Sequence, residues 1–130
     1  MNTEVMRNTI TKSLDGTMQF PEVVGTLLAE GVERYHADLA RMEKTFYMPD
    51  GSNHIEKMEI GPLPIGEAFD LSAVKATILD SQIHGQKYPE FLRRVTAAGS
   101  TDYTVYLRGQ RAIYFGRNGD YHVEVFPGAK

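Results

Sequence analysis

The sequence contains no cysteine. That absence removes every disulfide framework and every thiolate metal site, and it leaves nothing in the chain that requires an oxidising compartment. Long apolar runs are missing as well. No stretch approaches the ~18 residues that a membrane span needs, and Met1 to Val5 lacks the basic start and apolar core of a secretory signal. The expectation is a cytoplasmic protein with no membrane partner. Nor is there a basic excess: the net charge is −3, with six basic and ten acidic side chains in residues 1–66 and eight and seven in residues 67–130. Arg93, Arg94, Arg108, Arg111 and Arg117 are spread over one helix and two expected turns. The electrostatic footprint of a nucleic-acid binder is absent, and nucleic acid is not an expected partner. Catalytic signatures are missing too, for no Gly-x-Ser-x-Gly elbow, phosphate loop or dinucleotide fingerprint occurs.

What the chain does contain is a second copy of itself. Between residues 5 and 62, twelve positions are identical to the residue 68 places later, including Pro21-Glu22 with Pro89-Glu90, Gly31 with Gly99, Tyr35 with Tyr103, Leu39 with Leu107 and Gly51 with Gly119. His54 and Glu56 return as His122 and Glu124. No insertion breaks the offset, so the chain is a tandem duplication. Residues 1–62 form one half and 69–130 the other, joined by a connector over 61–68 whose prolines and glycines break every period. At 130 residues the two halves suffice for one domain with one core.

Each half reads as two helices followed by three strands. Asp70 is placed to cap a third helix, with Phe69 as a staple on Val74 and with Leu71, Val74, Ile78 and Leu79 on one face. The fourth helix has Pro89 in its first turn, carries Phe91, Leu92, Val95 and Ala98, and stops at Gly99. Pro21, Val23, Val24, Leu27, Leu28 and Gly31 repeat that design, and the first helix carries the thin stripe Val5, Met6 and Ile10. Ser13 and Ser81 near helix ends are expected to cap or to face solvent. After each glycine the period becomes alternating, and Gly109-Gln110 and Asn118-Gly119 suit two-residue hairpin turns. That register sends Tyr103, Val105, Leu107, Ala112, Tyr114, Tyr121, Val123 and Val125 inward, and in the first half Tyr35, Ala37, Leu39, Phe46, Met48 and Ile55. The expected fold is α+β, two ααβββ halves related by a pseudo-twofold, with a largely antiparallel six-stranded sheet and helices on one face.

Two features carry a functional expectation. His54, Glu56, His122 and Glu124 are each two apart on a strand, so each pair shares a face; if the third strands of the halves meet, all four converge on one divalent cation or serve acid–base chemistry. The plainer reading is cross-strand hydrogen bonding. His36 and Asp38 are secondary polar candidates, ~10 Å from that pair across the middle strand. The other feature is a set of apolar groups on the outward face: Tyr47, Tyr106, Ile113, Phe115 and Phe126. Such a patch needs a cover, and a second copy of the chain, a partner protein or a small apolar ligand would supply it. A binding or interaction module that forms a homodimer without a cofactor is the leading expectation; a small metal-dependent or acid–base enzyme is the alternative.

The segments Ala98-Gly99, Tyr103 to Leu107, Arg111 to Gly116 and Gly119 to Glu124 together resemble a bacterial and prophage family known as phage envelope protein, a domain of unknown function of similar length. Gly31 to Tyr35, Asp38-Leu39, Phe46 to Gly51 and Tyr88 to Leu92 extend the likeness over nearly the whole chain. The resemblance implies prophage ancestry and assigns no activity, cofactor or catalytic residue.

Overall fold

Helix α1 (Thr3–Asp15) starts where the Asn2 side chain accepts the Val5 N–H and ends at Gly16 in the left-handed region, φ 82°. The computed structural model describes residues 1–129. In α1 the buried stripe is Met6, Thr9, Ile10 and Ser13. Its polar members are tolerated because each hydroxyl donates back along the helix, Thr9 to the Met6 carbonyl at 2.7 Å and Ser13 to the Thr9 carbonyl at 2.6 Å. Ser13 is thus a buried packing residue and not a solvated cap. Helix α2 (Phe20–Ala29) follows, with Pro21 in its first turn and Glu22 accepting the Gln19 N–H. The second half repeats the pair as α3 (Leu71–His84) and α4 (Tyr88–Ala97). Asp70 caps α3 through the Ala73 N–H, as its position predicts. The buried face of α3 is Val74, Thr77 and Ile78. Leu71 and Leu79, expected on that face, are 43% and 53% exposed.

The strands are β1 (Arg34–Asp38), β2 (Glu43–Tyr47), β3 (Asn53–Lys57), β4 (Ser100–Tyr106), β5 (Arg111–Gly116) and β6 (Tyr121–Val125). They form one sheet in the order β3-β2-β1-β4-β5-β6, antiparallel at every pairing. The first strands of the two halves meet at the centre, where His36 lies opposite Thr104. These are equivalent positions of the repeat, so the pseudo-twofold passes between them. The helices α2 and α4, β3 and β6, and the positive-φ turn residues Met42 and Gln110 all recur at the same offset of 68. The third strands, whose meeting would bring the His-x-Glu pairs together, lie at opposite edges.

Those edge strands also face the opposite way from the expected register. Gly116 donates its N–H to the Asp120 carbonyl, and Gly119, at φ 82°, donates to the Gly116 carbonyl. This closes a three-residue loop over Arg117, Asn118 and Gly119, the arrangement in which a type I turn is followed by a left-handed residue. Met48, Ser52 and Gly51 repeat it in the first half. An odd loop in place of a two-residue one inverts every side chain of the strand that follows. His54 therefore lies opposite Phe46, Glu56 opposite Lys44, His122 opposite Tyr114 and Glu124 opposite Ala112, all on the helix-covered face. Ile55, Tyr121, Val123 and Val125, expected inside, are 57%, 65%, 38% and 50% exposed. The loops between β1 and β2 and between β4 and β5 hold four residues where two were expected. That difference is even, and the remaining strands face as predicted.

The buried side chains of both halves form one core. Equivalent contacts lock the halves together: Phe20 of α2 meets Phe126 after β6, ring centroids 5.4 Å apart, and Tyr88 of α4 meets Met58 after β3 through its hydroxyl. The connector is pinned by backbone approach. The Gly66 N–H donates to the Thr96 carbonyl, the Asp70 N–H to the Ala98 carbonyl, and Arg117 donates to the carbonyls of Ile65 and Gly66. These contacts place it along α4 and the ends of the sheet.

Candidate interaction face and the His-x-Glu pairs

Because the core lies on one side of the sheet, each strand presents its alternate residues on a face that no helix covers. The register sets them in three rows across the strands. The middle row reads Ile55, Thr45, His36, Thr104, Ile113 and Val123. On one side of it runs Asn53, Tyr47, Arg34, Tyr106, Arg111 and Val125, and on the other Lys57, Glu43, Asp38, Asp102, Phe115 and Tyr121. Four members of the expected patch, Tyr47, Tyr106, Ile113 and Phe115, are on this face. Phe126 is not, since its side chain turns to Phe20 and the core. Ile55, Tyr121, Val123 and Val125 take its place. The signal for them was the apolar residue two places beyond each glutamate, Met58 and Phe126, which shares the parity of the His-x-Glu pair and goes inward.

The polar groups of the face are fixed by short local contacts. The Arg34 guanidinium lies 4.1 Å from the centre of the Tyr47 ring, a cation–π distance. Its Nη1 is 3.6 Å from Glu33, too long for a hydrogen bond. His36 pairs with Asp102 at 3.0 Å, not with Asp38. Asp38 accepts the N–H groups of Ala40 and Arg41 in the adjoining turn. Glu43 is held by Arg41 at 2.8 Å, a contact that keeps its carboxyl below the usual range. His36 and Asp38 thus face away from His54 and Glu56, on the other side of the sheet.

The two His-x-Glu pairs do not converge. They occupy the outer strands, separated by five strand spacings or roughly 24 Å. Each pair closes on itself, His54 Nε2 to Glu56 at 2.5 Å and His122 Nε2 to Glu124 at 2.9 Å. Each glutamate also reaches the first helix of its own half: Arg7 of α1 donates to Glu56 at 3.0 Å and Gln82 of α3 to Glu124 at 3.5 Å. Burial raises the Glu56 pKa, but His54 and Arg7 outweigh it and hold the carboxyl below its ordinary value. The geometry is that of a clip between an edge strand and the helix above it. Among the described residues no group of three or more His, Asp or Glu side chains is placed to hold a metal ion, and the shallow grooves beside 63–66 and beside the start of α1 are lined by neither pair.

One buried titratable group was not foreseen. Lys44 on β2 is 3% exposed, with its ammonium 4.9 Å from the Tyr35 ring centre and 4.5 Å from that of Tyr88. Burial pushes its pKa down to about 7. Beside it the hydroxyls of Tyr88 and Tyr103 share a hydrogen bond of 2.5 Å, and burial raises the pKa of both phenols. The sequence signal for Lys44 was its alternation with Phe46 on a strand whose other face holds Thr45 and Tyr47.

No helix among the described residues is long and apolar enough to cross a membrane. No family model and no curated protein matches the chain.

Proposed function

We propose that the protein is a binding module whose working surface is the helix-free face of its sheet. The observation that supports this reading is the exposure of Tyr121, Val123 and Val125 beside Tyr106, Ile113 and Phe115 over β4, β5 and β6, with Ile55 and Tyr47 on the same face beyond the polar residues of β1. Apolar groups scattered singly over a surface are ordinary, but a contiguous set on one face marks a contact site. A six-stranded sheet with helices on one side also offers a rigid platform, because its register is held by the buried face and by its four hairpin loops. The prophage-family resemblance is compatible with such a module and adds no chemistry to it.

The absence of native cysteine makes the test direct. Single-cysteine variants Ile113→Cys on the open face and Ser72→Cys on the exposed side of α3 are alkylated in concentrated cell extract and in dilute purified form. The Ile113→Cys thiol is expected to react several-fold more slowly in extract, while Ser72→Cys reacts alike in both. Equal rates for Ile113→Cys in the two conditions overturn the reading.

A further inference from the structure

We infer that the open face is built to meet a second copy of this chain, sheet on sheet, with opposite ends of the strands superposed. This rests on the binding-module reading and names its partner. The support is a charge inversion within the duplication. The pseudo-twofold relates Arg34 to Asp102 and Arg111 to Glu43, so positions descended from the same ancestral site carry opposite charges at the two ends of the face. One end presents Arg34 and Arg111 among tyrosines; the other presents Asp38, Asp102 and Glu43, with Lys57 as the single cation of that row at its outer edge.

Two faces can stack about a twofold axis in only a few ways that keep their strands roughly aligned, with sheets ~10 Å apart and crossing at ~30°. An axis parallel to the strands brings like ends together and sets Asp38 against a second Asp102, which like-charge repulsion opposes. An axis running across the strands superposes unlike ends. Arg34 then meets Asp38 of the other copy, the Tyr106 hydroxyl meets Asp102, and Tyr47 meets Glu43, each contact occurring twice. The middle row meets itself, with His36 and Thr104 at its centre and Ile113 beside them. Self-complementarity of this kind is what an isologous interface requires. A polyanion is the poorer occupant, since the carboxylates at the far end repel phosphates and the whole chain is net negative.

Sedimentation of charge-swapped chains tests the geometry. The wild-type protein is expected to dimerise at micromolar concentration, and Arg34→Asp alone or Asp38→Arg alone to weaken the dimer by about tenfold or more, a change that corresponds to ~1.4 kcal/mol. Mixing the two variants restores association, because the Arg34→Asp site of one chain then faces the Asp38→Arg site of the other with opposite charge, and the native pair forms at the second contact. Asp38 also accepts two N–H groups of its turn, so Ile113→Lys, which leaves that turn intact, provides an independent disruption and is expected to give a monomer. Ile83→Lys, on the exposed side of α3, is expected to leave association unchanged. A monomeric wild type, failure of the mixed variants to recover, loss of association in Ile83→Lys, or binding of a single-stranded oligonucleotide by a monomer overturns the inference. If the Ile113→Cys thiol is nevertheless protected in extract, the face reading survives and only its occupant is wrong; an unprotected thiol removes both.

Discussion

Lys44 occupies the position that Ala112 holds in the second half, and the exchange fills the space between Tyr35 and Tyr88 with an amine. Its pKa in the folded state is about 7, against about 10.4 in an unfolded chain. Between those values the unfolded chain binds a proton that the folded one does not, so stability rises with pH across this window. Below it both states are charged and the penalty is constant; above it both are neutral and the penalty is gone. The tyrosines impose the opposite trend, but only above about pH 10, where unfolded phenols ionise first. Urea unfolding is expected to show a midpoint that climbs from neutral pH towards pH 10, the full effect being on the order of 4 kcal/mol. Lys44→Met is expected to raise the midpoint at neutral pH and to flatten the rise. A wild-type midpoint that is level or falls across the window contradicts the assignment. Hydropathy places lysine in water and so masks the alternation with Phe46 that marks Lys44 as inward, whereas Tyr35 and Tyr103, aromatics on alternating strands, were legible as buried.

At the scale of elements, the glycines that close α2 and α4 separate two demands on one motif. Gly31 and Gly99 both sit at positive φ, 78° and 96°. A Cβ on Gly31 would meet only the Met48 methyl at 3.7 Å, but one on Gly99 would lie 2.1 Å from the Ala68 carbonyl, because the connector is packed there. Gly31→Ala is therefore expected to cost about 1 kcal/mol, the strain of a left-handed alanine. Gly99→Ala is expected to cost several times more, since backbone must move. Thermal unfolding of the two variants reads the difference, and equal losses would show that the connector does not press on the α4 terminus. Both glycines were legible as helix stops, and so were the helices, the alternation of β1, β2, β4 and β5, and the repeat itself. The facing of β3 and β6 was not, because Asp50-Gly51 and Asn118-Gly119 fit a two-residue or a three-residue loop equally and the choice inverts the strand. Strand order was half-visible. The polar run Asn53 to Lys57 has the composition of an edge strand, which carries charge to discourage pairing, but the apolar composition of Tyr121 to Val125 gives no sign that β6 is the other edge.

For the molecule as a whole, duplication explains both what is shared and what has diverged. The helix-covered side keeps its repeat identities, among them Thr9 with Thr77 and Ile10 with Ile78 on the buried faces of α1 and α3, and the two His-x-Glu clips, whose glutamates tie each edge strand to the helix above it. On the open side, the equivalent ends have become basic at one and acidic at the other. The candidate metal arrangement was tied to a meeting of the third strands, and it went with the strand order. Tyr47, Tyr106, Ile113 and Phe115 stay on the open face because the parity of β2, β4 and β5 read correctly, whereas Phe126 leaves it and Ile55, Tyr121, Val123 and Val125 join it because β3 and β6 are inverted.

The most direct measurement of the central claim is a dilution series followed through the methyl resonances of the folded protein. Ile55, Ile113, Val123 and Val125 report the open face, Ile83 and Leu79 the exposed side of α3, and Ile10, Val74 and Val95 the core. The signals of the open face are predicted to shift together on dilution while those of α3 and the core stay fixed. Movement confined to Ile83 and Leu79, or no movement at any methyl up to the highest concentration reached, would contradict a contact between copies through the bare side of the sheet.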